Sequence, residues 1–422
     1  MISFKTLIAL GSSAGLAALT AHAEDAAPKP LEVPAKTLQV PSADISPEMQ
    51  KFIAAPLNPD WNFHPKTGEE WRAMANKIAG TVLPGLPALR DRLHVKVESS
   101  TIDGVKVNVV TPDTIPPENG DKLIVHVHGG CYVYFPGESG TTEAIMMAGF
   151  GHYKVIAVDY RMPPDAYFPA ALDDAMTVYR SAIKTTDPKN VGIVGTSAGG
   201  ALVLEMVLKA KQDGLPMPGA IAPGTPMSDV TKTGDSFYSN EFVDNVLVSP
   251  SGFCDDAAAF YAHGHDMKDP LLSPVYGDMA GFPPTILTTG TRDQLLSNTV
   301  RVHRKLRRAG VEADLNVYEG QSHAQYQFDD RVPETEEAFG EIAAFFGKHL
   351  GQYTRTHHPL FLPKPRVLPC CAFPQTSAFS GPTGPCWIGS TPPLGQASRP
   401  SNCTGPTTWR PSRSGPDASI TG

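Results

Sequence analysis

"VGIVGTSAGGALVLEMVLKA", residues 191 to 210, is the stretch on which the fold turns. Val191 to Val194 form a short strand-like run, Gly195-Thr196-Ser197-Ala198-Gly199 form a tight turn, and an apolar helix-forming segment follows. A serine between two glycines at a strand-to-helix turn is a G-x-S-x-G nucleophile elbow in the context that motif requires. The reason is steric. Ser197 must sit on a strained turn, so Gly195 and Gly199 remove the Cβ atoms that would collide with the neighbouring strand and helix. The same turn aims the Ala198 amide, at the positive end of the new helix, toward the place where an oxyanion would form. A Gly/Ser turn without chemistry is the plain alternative.

A serine hydroxyl is a weak nucleophile near neutral pH and needs a base that is itself oriented by a carboxylate. The chain supplies both in the order Ser, Asp, His. Asp293 follows the run "TILTTG" in "GTRDQLL", and His323 follows "DLNVYEG" in "GQSHAQY". Both therefore lie just past strand C-terminal ends, the edge on which Ser197 sits. His263 and His265 in "AHGHD" have metal-ligand character beside Asp266, but no second ligand cluster accompanies them, and a solvated or packing role is the expectation. No metal or organic cofactor is required.

Short Val- and Ile-rich runs recur on both sides of the elbow: "KLIVHVH", "KVIAVDY", "GAIAPGTP", "TILTTGT" and "DLNVYEG", separated by longer helix-capable stretches. This alternation predicts an α/β fold with a mostly parallel central sheet covered by helices. Upstream, "LHVKVESSTIDGVKVNVVTP" alternates with period two around Asp103-Gly104 and reads as an antiparallel pair entering the sheet. A last helix over about residues 334–350 puts Phe339, Ile342, Ala343 and Phe346 on one face.

"HVHGGCYVYFPG", residues 126 to 137, ends a strand in Gly129, Gly130 and Cys131. Glycines there let the backbone approach a substrate and turn its amides inward. The loop is thus a source of oxyanion donors from Gly129, Gly130 and Cys131, to act with Ala198. His128 is expected to brace the loop by hydrogen bonding. Cys131 contributes its amide rather than its sulfur, because Ser197 already has a complete partner set and no second base serves the thiol. Tyr132, Tyr134 and Phe135 are candidate pocket-lining residues, with plain core packing as the alternative.

Together these motifs resemble the hormone-sensitive-lipase-like family of α/β-hydrolases, bacterial esterases with an HGG(G/A) loop and a GxSAGG elbow. They stand here as "HGGC" at 128 to 131 and "GTSAGG" at 195 to 200, with "DYRMPPDAYFPAALDDA" at 159 to 175 as a further match. The resemblance covers roughly residues 90–350. It implies an α/β-hydrolase fold with a helical cap, the N-terminal helical stretch giving its first part and residues 228–261 its second. It also implies a carboxylic-ester hydrolase. With Ser197 as nucleophile the reaction would pass through an acyl-serine intermediate, and short-to-medium acyl or small soluble esters are the expected substrates, with acetylated compounds, lactones and polyester fragments left open. Asp159 and Arg161 correspond to structural positions. An acyltransferase using the same acyl-enzyme, or a non-catalytic small-molecule binding relative, are the alternatives.

The chain has 422 residues, 41% hydrophobic and 18% charged, enough to bury a large core. Its formal charge of -8 is not gathered into blocks, which argues against a nucleic-acid surface. The first 23 residues carry Lys5, an apolar stretch and Ala21-His22-Ala23, a pattern expected to direct export with cleavage near Ala23. That stretch is too short for a stable membrane span. Residues 24–47 read as a Pro- and Ala-rich leader, 48–350 as the hydrolase domain, and 351–422 as a disordered tail rich in Pro, Ser and Gly. Of the six cysteines only Cys131 and Cys254 fall in the domain, and the sequence leaves open whether they pair. It leaves oligomeric state open as well.

Overall fold

Each Val- and Ile-rich run becomes a strand in the computed structural model, which describes residues 44–351 together with residues 35 and 37–41. The strands are β1 (Val95–Ile102), β2 (Val105–Pro112), β3 (Leu123–Val127), β4 (Lys154–Val158), β5 (Val191–Thr196), β6 (Ala220–Gly224), β7 (Thr285–Gly290) and β8 (Ala313–Tyr318). They form one sheet in the order β1-β2-β4-β3-β5-β6-β7-β8. β1 pairs antiparallel with β2, and β2 with β4; every later neighbour is parallel. The segments expected to be an export signal and a tail, and most of the expected leader, lie outside the described residues.

The helices are α1 (Pro47–Ile53), α2 (Gly68–Val82), α3 (Leu86–Leu93), α4 (Thr142–Gly151), α5 (Ala170–Thr185), α6 (Ala198–Gln212), α7 (Ser236–Ser239), α8 (Phe253–Ala262), α9 (Leu296–Arg308) and α10 (Pro333–His349). Side chains of a strand alternate between faces, and the two faces of β3 meet different cores. Leu123, Val125 and Val127 pack with residues of α5, α6 and α9, whereas Ile124 packs with α3, α4 and α10. Both faces are covered, which is why the central strands read as continuous apolar runs. α10 closes the second core with Phe339, Ile342, Phe345 and Phe346 buried, and keeps Glu336, Glu337 and Lys348 in solvent.

α1, α2 and the segment between β6 and β7 pack together as a cap in contact with the loops after β3, β7 and β8, while α3 lies against α4 and β1 on a face of the sheet. Thr67 and Glu70 start α2 with a reciprocal capping box, a device worth about 1 kcal/mol. The two cap parts interlock: the Asn58 amide donates to the Asn245 carbonyl at 2.9 Å, and the Phe253 amide to the Trp61 carbonyl at 2.9 Å. Trp71 of α2 stacks on Phe260 of α8 with centroids 5.5 Å apart. The end of the leader is held rather than free. Ser46 caps α1 and donates through both its amide and its hydroxyl to Glu334 of α10, each at 2.7 Å. The packed domain therefore begins slightly before residue 48, where a polar cap links the chain to α10.

Candidate active site

Ser197 occupies the elbow at φ 64° and ψ −120°, between β5 and α6. A non-glycine residue there costs about 1–3 kcal/mol, which surrounding contacts must hold. The Ser197 amide donates to the Gly224 carbonyl at 2.9 Å, and the Met227 amide to the Ser197 carbonyl at 2.9 Å. A Cβ on Gly195 or Gly199 would lie 2.3 or 2.1 Å from the Val127 carbonyl oxygen, so the elbow closes against the end of β3 only with glycine at both. Beneath the turn, Thr196 donates to Glu143 Oε1 at 2.6 Å, and Glu143 Oε2 lies 3.0 Å from His126 Nε2. A buried polar network thus anchors the strand that carries the serine.

The loops after β7 and β8 bring Asp293 and His323 to the same place. Ser197 Oγ is 2.9 Å from His323 Nε2, and His323 Nδ1 is 3.1 Å from Asp293 Oδ1. An ionised carboxylate only accepts, so Nδ1 donates to Asp293 and Nε2 keeps its lone pair toward the Ser197 hydroxyl. All three side chains are buried, Asp293 completely. The Asp293 carboxylate also accepts the Leu295 amide at 2.7 Å and the hydroxyls of Thr225 and Thr289. Burial by itself pulls the His323 imidazole down. The charge and hydrogen bond of Asp293, with the charge of Asp244 behind them, outweigh that pull and hold it above its ordinary value.

The loop after β3 runs beside this group. A Cβ on Gly129 would lie 2.6 Å from the Thr196 carbonyl oxygen and 3.3 Å from Ser197 Cβ. Gly130 has φ 104°, a left-handed conformation that glycine adopts without strain, and its carbonyl accepts the amides of Val133 and Tyr134. Among the described residues the amides of Gly129, Gly130, Cys131 and Ala198 have no protein acceptor. His128 braces the loop: Nδ1 donates to the Gly129 carbonyl at 2.8 Å and its ring stacks on Tyr160. Burial pushes this imidazole down to about 3, so it is neutral.

Several sequence expectations change here. The pairing that the sequence left open is made: Cys131 is disulfide-bonded to Cys254 of α8, across 123 positions of chain. Its φ of 51° also places it in the left-handed region, with Tyr132 and Phe135 at 65° and 69°. This backbone path turns the aromatic side chains into the core. Tyr132 is fully buried, donates to Glu205 Oε1 at 2.9 Å and stacks on Tyr261, so it is core and not an open pocket wall. Tyr134 is buried against Trp71 and Phe253 with its hydroxyl on Met74 Sδ, while Phe135 stays half-buried. His263 stacks on Tyr167 and His265 meets the edge of Phe168. The Asp159 carboxylate accepts the Gly137 amide, and Arg161 pairs with Asp174 at 2.8 Å.

Residues that sequence reading passed over also reach the site. Thr225 follows β6 and supports the acid; Asn240, Asp244 and Asn245 come from the cap. No motif or period marks them, because their neighbours are distant in sequence.

An eight-stranded sheet, a strained serine at a strand-to-helix elbow, and a histidine and aspartate from later strand ends define a serine hydrolase of the α/β-hydrolase fold. Residues 124–327 match the family described as alpha/beta hydrolase fold. The chain is 43% identical to the crystal structure of esterase E25, with a TM-score of 0.73, covering 76% of this chain and 99% of that one. It is 28% identical to an esterase from the bacterial hormone-sensitive lipase family, with a TM-score of 0.62 and coverage of 72% and 99%. It is also 31% identical to an esterase of Acinetobacter venetianus over 53% of this chain and 74% of that protein. To a putative acetyl-hydrolase, LipR, of Mycobacterium tuberculosis it is 27% identical, over 60% and 80%. The chain belongs to the hormone-sensitive-lipase family of α/β-hydrolases, and it is a carboxylesterase.

Proposed function

We propose that this carboxylesterase cleaves small soluble esters of short-to-medium acyl chains through an acyl-Ser197 intermediate. The carrying observation is the continuous contact from Ser197 Oγ to His323 Nε2 and from His323 Nδ1 to Asp293. His323 takes the Ser197 proton as Oγ attacks the ester carbonyl, and Asp293 fixes the tautomer and stabilises the imidazolium. The amides of Gly129, Gly130, Cys131 and Ala198 supply the donors for the tetrahedral oxyanion. Protonated His323 then gives its proton to the leaving alcohol. Water, deprotonated by the same histidine, attacks the acyl-serine carbonyl and releases the acid and free Ser197. Two features support a small acyl group: Ser197 lies buried beneath the cap, and a relative from Streptomyces hygroscopicus is described as an acetyl-hydrolase.

An acyl-length series of chromogenic esters tests this reading. Acetyl to butyryl esters are expected to turn over fastest and palmitoyl esters slowest, with Ser197→Ala and His323→Ala both reduced by several orders of magnitude. Parent-like rates in both variants would refute the assignment. We also propose export, which the Cys131–Cys254 disulfide supports because such bonds persist in oxidising compartments. The mature protein should then begin near Glu24 by N-terminal sequencing.

A further inference from the structure

A short stretch of the cap, residues 240–247, touches both loops that carry the acid and the base. Asn240 Nδ2 donates to the carbonyl of Asp293 at 2.9 Å and to that of Thr291 at 3.2 Å. Asp244 is wholly buried. Its Oδ2 accepts the amide of Gln294, next to Asp293, at 2.9 Å, while Oδ1 accepts the amides of Val246 at 2.8 Å and Leu247 at 3.1 Å. Asn245 works on the other loop. Its amide donates to the hydroxyl of Ser322, next to His323, at 3.1 Å, and its Oδ1 accepts Gln325 Nε2 at 2.9 Å. Its Nδ2 reaches back to the carbonyls of Phe52 and Ala55 at the end of α1.

A segment that merely covered the sheet would have no reason to bury a carboxylate, since an apolar side chain of similar size covers at lower cost. The titratable groups that bear on Asp244 are Asp293, which repels it, and His323, which attracts it. Burial and Asp293 push its carboxyl up to about 6, and its own charge raises the His323 imidazole in return.

We propose that Asp244 and Asn245 are positioning residues for the Ser197–His323–Asp293 group: Asp244 fixes the acid loop through the Gln294 amide and adds a second negative charge toward His323, and Asn245 fixes the base loop through Ser322 and Gln325. The proposal rests on the assignment of those three residues. Its consequence is that turnover depends on how the cap, including α1, is docked, even where the cap does not touch substrate.

The test is steady-state kinetics and a pH profile on the full chain with a p-nitrophenyl butyrate substrate. In Asp244→Asn one acceptor oxygen becomes an NH2 that must face either the Gln294 N–H or those of Val246 and Leu247, and the charge is gone. Expected is a kcat at least about tenfold lower with KM within about threefold. The acid limb of kcat/KM should move to lower pH by about half a unit or more, because the imidazolium has lost a stabilising anion. Asn245→Ala, which frees Gln325 on the base loop and leaves every charge in place, should lower kcat severalfold without moving the limb, and it decides the matter if Asp244→Asn does not fold. Parent-like kcat in Asn245→Ala would then overturn the proposal. So would an Asp244→Asn protein whose kcat and acid limb match the parent, or one whose kcat falls only together with Tm while the limb stays in place. Ser197→Ala, run alongside, separates the two readings: if it is inactive while Asp244→Asn is normal, only the positioning role fails, and if it is active, the site assignment itself fails.

Discussion

At the scale of single residues, chemistry needs His323 neutral, and its surroundings favour the charged form. The burial that opposes the imidazolium is outweighed by Asp293 and Asp244, so the group stays protonated to a higher pH than a free imidazole. The sign follows directly. Activity is full at high pH and is lost as pH falls through the raised value, so the acid limb of kcat/KM should lie above about 6.5, the ordinary imidazole pKa. A limb at about 6 or below would contradict this electrostatic account. Ser197, Asp293 and His323 were legible in the sequence because each follows a strand that announces itself by composition. Thr225 and Asp244 were not, because a threonine after a turn and an aspartate in an irregular insertion look like any surface residue until their partners are known.

At the scale of elements, the loop after β3 and helix α8 act as one unit. The Cys131–Cys254 disulfide joins a residue of the proposed oxyanion loop to the cap, in a loop whose left-handed residues are otherwise costly to hold. Cross-linking a long stretch of chain removes freedom from the unfolded state, an effect of about 2–5 kcal/mol for a native bond. Cys254→Ser should accordingly lower Tm, and it should also raise KM by loosening the loop against α8. Thermal unfolding and kinetics on reduced and oxidised parent give the same comparison without mutation. An unchanged Tm and KM in both experiments would show that packing of Tyr132 and Tyr134 holds the loop by itself. The strand positions and the antiparallel pair at Asp103-Gly104 followed from apolar runs and turn residues, since period-two patterning is local. Pairing between two cysteines so far apart is not a local property, and neither is the direction in which the residues after Gly130 turn.

At the scale of the whole molecule, α10 covers one face of the sheet, with Leu350 buried and the Gly351 amide on the Lys189 carbonyl. A chain ending at residue 351 is therefore expected to keep parent Tm and kcat/KM. Deleting everything before residue 66 should instead lower kcat at least about tenfold, because Asn245 loses its anchors at Phe52 and Ala55 and Trp61 leaves Phe253. Equal kcat/KM for that deletion and the parent would show the N-terminal helices to be dispensable. The sequence by itself determined the α/β class, the elbow, the three residues Ser197, Asp293 and His323 that the fold brings into contact, and the glycine-rich loop beside them. Each of these is written in a short run of neighbouring residues under a local steric or periodic constraint. Only the tertiary structure decided the Cys131–Cys254 bond, the burial of Tyr132, the polar network under Thr196 and the grip of the cap on the acid and base loops. Those depend on which distant segments meet, and burial and Coulomb energies take their value from the meeting, not from the residues alone.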